Sequence, residues 1–142
     1  MNNSEIPELV SALVQAWNAH DPDRVAGFHA SEYEGRDIAQ ARPEIGPEGA
    51  RQAFCRFLKA FPDLELIPDE LLTEGDRAAL LWRIRGTHAG TLLRIPPSGR
   101  RIEFTGVSML KIRGDRVVRR FTLWDLAGML REIGLLPALP EE

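Results

Sequence analysis

The hydrophobic period of this chain changes at Pro62, and that switch limits the folds open to it. Upstream, apolar residues recur every three or four positions: Ile6, Leu9, Val10, Leu13, Val14 and Trp17, then Ala50, Phe54, Phe57, Leu58 and Phe61. Such spacing gathers an apolar stripe along one side of a helix. Downstream, apolar and polar residues alternate, which lays one apolar face along each strand. Helices collected in the first half and strands in the second predict an α+β fold, because βαβ units would interleave the two. With 142 residues the chain has the size of one domain and buries a core without staples, so 1–142 is expected to form a single domain.

Local signals place the elements. Ser4 is positioned to cap the first helix, and Pro7 falls in its first turn, where a missing N–H does least harm. Asp21-Pro22 supplies the cap and first position of a short second helix running to Phe28. Gly46-Pro47 opens a third helix and Pro62 stops it. Residues 30–45 between them are mixed and show no clean period. Strands are expected over 64–73, 77–88, 101–112 and 116–125, with a loop over 90–99. Leu126 to Ile133 is expected to form a last short helix, ended by Gly134.

Gly114-Asp115 fits a two-residue hairpin turn and sets a register. Arg113 then opposes Arg116, Phe121 opposes Ser108, Leu123 opposes Gly106 and Asp125 opposes Phe104. Side chains alternate across a sheet, so Phe104, Gly106, Ser108, Phe121, Leu123 and Asp125 share a face with Leu110 and, from the preceding strand, Trp82, Ile84, Gly86 and His88. That face is apolar with one carboxylate and one imidazole, and the helices are expected to cover it. The other face carries Thr105, Val107, Met109, Thr122 and Trp124 beside several arginines. Apolar residues exposed there mark an association surface, and a homodimer through the sheet is expected.

Charge and cysteine use narrow the partners. A formal charge of -3 argues against nucleic acid, which is bound by an excess of Lys and Arg. Cys55 is the one cysteine, so no disulfide forms within the chain, and a reducing compartment is expected. It has no His or Cys partner nearby in sequence, which leaves no nucleophile or metal role. The start, Met1-Asn2-Asn3-Ser4, lacks a basic then apolar leader, and no apolar run approaches the about 20 residues of a membrane span. The expectation is a cytoplasmic protein without a membrane part.

An ordered series of short motifs carries a resemblance. Trp17-Asn18-Ala19-His20-Asp21 ends the first helix, Gly46-Pro47-Glu48-Gly49 opens the third, and Phe61-Pro62-Asp63-Leu64 follows it. Gly86-Thr87-His88-Ala89-Gly90, Ile95-Pro96-Pro97-Ser98-Gly99-Arg100, Trp124-Asp125 and Gly134-Leu135-Leu136-Pro137 come next. In this order the chain resembles SnoaL-like polyketide cyclases and related ester cyclases, of the nuclear-transport-factor-two-like superfamily, over roughly Ile6 to Pro137. The resemblance implies a cone-shaped fold, with a curved antiparallel sheet packed on three main helices around an internal pocket. It also implies a dimer, a hydrophobic small-molecule substrate, and no metal or organic cofactor. In such cyclases an aspartate on the last strand is acid and base in an aldol-type ring closure, and Asp125 matches that position.

His88 is the second catalytic candidate, about 10 Å from Asp125 at the usual strand spacing. Trp82, Phe54 and Leu58 are candidates for the pocket wall, with Phe104, Ser108 and Phe121 from the sheet face. Tyr33 lies in the irregular stretch that covers the pocket in this fold, and His29 is placed near the mouth. His20, at a helix end, reads as structural. The bland reading of Asp125 is an N-cap for the last helix, a role that suits aspartate. Ser108 is the one polar residue that the penultimate strand offers the pocket, which favours a different substrate or a binding role. An isomerase, or an epoxide hydrolase with an Asp–Arg–Asp set around water and Arg119 as its arginine, is the other enzymatic reading. A non-catalytic ligand-binding or dimerisation protein is the reading from another class.

Overall fold

Residues 5–141 are described, in a computed structural model. Ser4 lies outside them. In chain order the described residues form α1 (Ile6–Asn18), α2 (Pro22–Ala26), β1 (His29–Asp37), β2 (Glu44–Ile45), α3 (Gly46–Ala60), β3 (Glu65–Glu74), β4 (Arg77–Thr87), β5 (Arg101–Arg113), β6 (Arg116–Trp124) and α4 (Leu126–Glu132). The strands make one sheet in the order β2-β1-β6-β5-β4-β3. Neighbours are antiparallel except β1, which runs parallel to β6, so the sheet is mixed rather than purely antiparallel.

β1 occupies much of the stretch that shows no period in the sequence. Its inward positions are Tyr33, Gly35 and Asp37, all buried, while Glu34 and Arg36 are exposed. The alternation is real, but a glycine and a carboxylate on the buried side hide it from any hydrophobicity pattern.

α1 packs on β3 and α3 on β1, covering one face of the sheet. Trp17, Phe54, Phe57, Phe61 and Phe104 form the centre of that core. Trp17 meets Phe54 edge-on at 4.8 Å between centroids. Side-chain hydrogen bonds fix how α1 meets the sheet. Asn18 imitates a strand: its Nδ2 donates to Leu66 O at 2.9 Å and its Oδ1 accepts from Leu66 N at 2.7 Å. Beyond α3, Asp63 accepts from Thr87 N and Thr87 Oγ1, at 2.7 and 2.8 Å. These bonds account for three of the short motifs, those holding Asn18, Asp63 and Thr87, as joints between helix and strand.

The β5–β6 hairpin starts in the expected register and then leaves it. Arg113 faces Arg116 and Ile112 faces Val117, but Lys111 faces Arg119, so Val118 is an extra residue in β6. This bulge lets two successive valines, Val117 and Val118, both be buried. Every later residue of β6 is turned over relative to the two-residue-turn prediction. Ser108 faces Thr122 and Gly106 faces Trp124. Arg120, Thr122 and Trp124 therefore point to the helices. Phe121 and Leu123 point away, with 41% and 45% of their surface exposed.

Candidate functional site

Between α1 and the concave face of the sheet lies a cavity, with about 60 Å³ in which water centres can sit. That is room for several waters or a small organic group. α1 closes one side with Val10, Leu13, Val14 and Trp17, and α3 adds Phe57. Leu80, Trp82 and Ile84 of β4 and Leu110 of β5 make most of the opposite wall. The polar lining comes from three strands: Asp37 of β1, Ser108 of β5, and Arg120 and Thr122 of β6.

These groups form two linked sets. Trp82 Nε1 donates to Ser108 Oγ at 3.0 Å, and Ser108 Oγ shares a hydrogen with Thr122 Oγ1 at 2.9 Å. One indole N–H and two hydroxyls supply three hydrogens for these two contacts, so one hydroxyl hydrogen remains for a ligand. Gly106 makes room for the ring: a Cβ there would run into the Trp82 indole.

The second set is ionic. Asp37 is buried beside Thr122 across the β1–β6 ladder. Its Oδ1 accepts from Trp124 Nε1 at 3.0 Å and from Ala39 N at 2.9 Å, and Oδ2 lies 3.2 Å from the same indole nitrogen. The carboxylate is held in place, while Oδ2 keeps acceptor capacity. Arg120 donates from Nη2 to Glu44 Oε2, and Tyr33 donates from its hydroxyl to Glu44 Oε1 at 2.9 Å. Burial, with Glu44 beside it, holds the Tyr33 phenol above its usual range. His29 stacks edge-on against Tyr33 at 4.5 Å and its Nδ1–H donates to Val25 O at 2.9 Å. Burial first, then the Arg120 charge, brings the His29 imidazole down to about 4.

The residues expected from the sequence are dispersed by this geometry. Trp82 and Ser108 line the cavity. Phe104 and Phe54 are buried in the aromatic core behind it, and Leu58 packs against that core. Tyr33 and His29 are buried under the Arg120 end, within β1 rather than in an irregular cover. Phe121 is on the outer face, a correction that follows from the bulge. Asp125 is also displaced: it is exposed, and its Oδ1 accepts from Gly128 N at 2.8 Å as the N-cap of α4. His88 is fully buried against Phe61, where its Nδ1 accepts from Ser98 N at 3.2 Å, away from the cavity lining. Arg119, the arginine of the hydrolase reading, is exposed, and Arg120 turns inward in its place.

Asp37, Arg120, Thr122 and Glu44 were not legible as site residues. The doublet Val117-Val118 was the one available signal for Arg120 and Thr122, since two adjacent β-branched apolar residues break a strict alternation. Among the described residues, no group of three or more His, Cys, Asp or Glu is placed to hold a metal ion. No helix among them is long and apolar enough to cross a membrane.

A pocket between helices and a strongly bent sheet, with the motif series above, is the pattern of a known family. The family model described as SnoaL-like polyketide cyclase matches residues 8–133. The chain belongs to the SnoaL-like polyketide cyclase family. Among curated relatives, aklanonic acid methyl ester cyclase DnrD of Streptomyces peucetius is 32% identical over 132 residues, covering 89% of this chain and 89% of the relative. Aklanonic acid methyl ester cyclase DauD of Streptomyces sp. (strain C5) is also 32% identical over 132 residues, covering 89% and 80%. Among solved structures, TsrD from Streptomyces laurentii superposes with a TM-score of 0.85 at 29% identity, covering 96% of this chain and 99% of that one. Within this SnoaL-like chain, the cavity brings one carboxylate, one guanidinium and two hydroxyls to an otherwise apolar space.

Proposed function

We propose that the protein is a cofactor-independent cyclase that closes a carbocyclic ring in a polyketide-like substrate by an intramolecular aldol reaction. The observation that supports this most is Asp37, the one carboxylate among the described residues that lines an apolar cavity, with acceptor capacity left on Oδ2. Asp37 takes the acid/base role that the family resemblance implied for Asp125. Its Oδ2 removes a proton from a carbon flanked by two carbonyls. The resulting enolate carbon attacks a second carbonyl carbon of the same molecule, and the new alkoxide recovers the proton from Asp37. No atom is gained or lost, so the chemistry calls on no outside oxidant or reductant. The relatives named for aklanonic acid methyl ester cyclisation support a substrate of this kind.

Apolar walls fold a flexible substrate into a reactive shape, which contributes through orientation. The cavity admits a small organic group as it stands.

The test is turnover of aklanonic acid methyl ester, the compound for which the curated relatives are named, by wild type, Asp37→Asn and Asp125→Asn. Asp37→Asn is expected to lose roughly 10²–10⁴-fold in kcat, the usual worth of one general acid–base. Asp125→Asn is expected to keep wild-type kcat, because asparagine also caps a helix. Unchanged turnover in Asp37→Asn would leave the pocket as a binding site without acid/base chemistry at this residue.

The protein is also proposed to pair as a homodimer through the outer sheet face. Leu81, Met109, Phe121 and Leu123 are exposed there. Beside them Arg83 is paired with Asp69 and Glu103, and Arg85 with Glu65. An apolar patch flanked by charges already neutralised within the chain suits a second identical face.

A further inference from the structure

Arg120 is unusual among the cationic side chains of this protein. Only 17% of its side-chain surface is exposed, and its Nε is buried without a hydrogen-bond partner among the described residues. One end of the guanidinium is spoken for, because Nη2 donates to Glu44, which Tyr33 in turn holds through its other oxygen. The bulge at Val118 puts the residue on the cavity side of β6, where it is part of the lining with Asp37 and Thr122. A buried N–H on a cation is costly to leave unmade, and the fold keeps one on a residue that lines the cavity.

We infer that Arg120 is the oxyanion-stabilising residue of this site: its Nε–H takes the substrate carbonyl oxygen that becomes an enolate when the neighbouring carbon is deprotonated. The inference rests on the reading that Asp37 is the base. In the resting site the negative charge sits on Asp37. Proton transfer leaves Asp37 neutral and moves the charge to the substrate oxygen, next to a fixed guanidinium. Donors set in advance where charge develops lose nothing to reorganisation at that moment. Arginine suits the place because it stays charged when buried. Burial works against that charge, and the Glu44 and Asp37 carboxylates beside the guanidinium favour it. The substrate class follows: a 1,3-dicarbonyl or β-keto ester, whose enolate oxygen is the group recognised.

An ionised phenol imitates that enolate, and Asp37→Asn imitates the protonated base. The experiment is a pH titration of 4-nitrophenol absorbance with Asp37→Asn and with Asp37→Asn/Arg120→Lys. Lysine keeps the charge and removes the Nε–H. In Asp37→Asn the bound probe is expected to ionise at least one pH unit below the free probe, and to bind at least tenfold tighter than in the double variant. Equal ionisation and affinity in the two proteins, or no binding by Asp37→Asn, would overturn the inference. A second measurement leaves Arg120 in place and so survives a failure of the double variant to fold. In Asp37→Asn, one arginine Nε–H proton resonance is expected to move downfield when 4-nitrophenolate is added, and a spectrum without such a shift overturns the inference. Failure of the cyclase reading is seen separately, as unchanged turnover in Asp37→Asn.

Discussion

His29 and Asp125 show how far one side chain's surroundings decide its role. His29 is buried, and its imidazole is held at about 4 rather than 6.5, by burial first and the Arg120 charge second. Between those values the unfolded chain binds a proton that the folded chain refuses. Stability therefore rises with pH across this window and falls as pH drops from 6.5 to about 4, by as much as about 3 kcal/mol. The prediction is a lower urea midpoint at pH 4.5 than at pH 7, with most of the difference removed by His29→Gln. His88, also lowered by burial, adds a contribution of the same sign. Asp125 makes the opposite point: its surroundings give it a capping part. Its carboxylate caps α4, and Gly128 is needed because a Cβ there would collide with it. Asp125→Ala is expected to cost about 1 kcal/mol in chemical denaturation.

One inserted residue decides what β6 offers the pocket. The extra residue Val118 turns Arg120, Thr122 and Trp124 inward and Phe121, Leu123 and Asp125 outward. A one-residue slip exchanges every side chain of a strand between faces. Deleting Val118 should remove the bulge and leave Arg119 opposite Lys111, so Arg120, Thr122 and Trp124 keep their inward places. The Asp37–Trp124 bond and the Arg120–Glu44 pair would then survive. The expected outcome is a cooperative melt at lower temperature, read by circular dichroism, because the buried Val118 side chain, worth roughly 1.5–3 kcal/mol, is lost. Loss of the cooperative transition would show that the fold needs the bulge itself and not only the register beyond it. β1 poses the related problem of a strand whose inward set, Tyr33, Gly35 and Asp37, is mostly not hydrophobic. Pattern reading finds strands through apolar alternation, so it finds β4 and β5 and passes over β1.

For the whole molecule, the outer sheet face carries the prediction. The bulge makes that face more apolar than the sequence register implied, replacing Thr122 and Trp124 there by Phe121 and Leu123. Phe121→Glu and Leu123→Glu are each expected to shift the protein from dimer to monomer in sedimentation velocity, with an unchanged circular dichroism spectrum. Wild type sedimenting as a monomer at micromolar concentration would sink the dimer. Since both residues point away from the cavity, ligand binding by the monomeric variants should persist.

The sequence by itself determined the elements whose signals are local. The amphipathic periods of α1 and α3, the Asp21-Pro22 start of α2, the strands β3 to β6, and the motif series that names the family were all readable along the chain. Trp82 and Ser108 share the buried face that the register implied, because β4 and β5 pair without a shift and parity carries through the whole ladder. Only the tertiary structure decided the rest. The parallel pairing of β1 with β6 joins segments far apart in the chain, and no local pattern reports it. The bulge depends on which valines the core has room to bury. Asp37, Glu44 and Arg120 meet because of both, since like partners in any ion pair they are defined by distance in space and not by spacing along the chain.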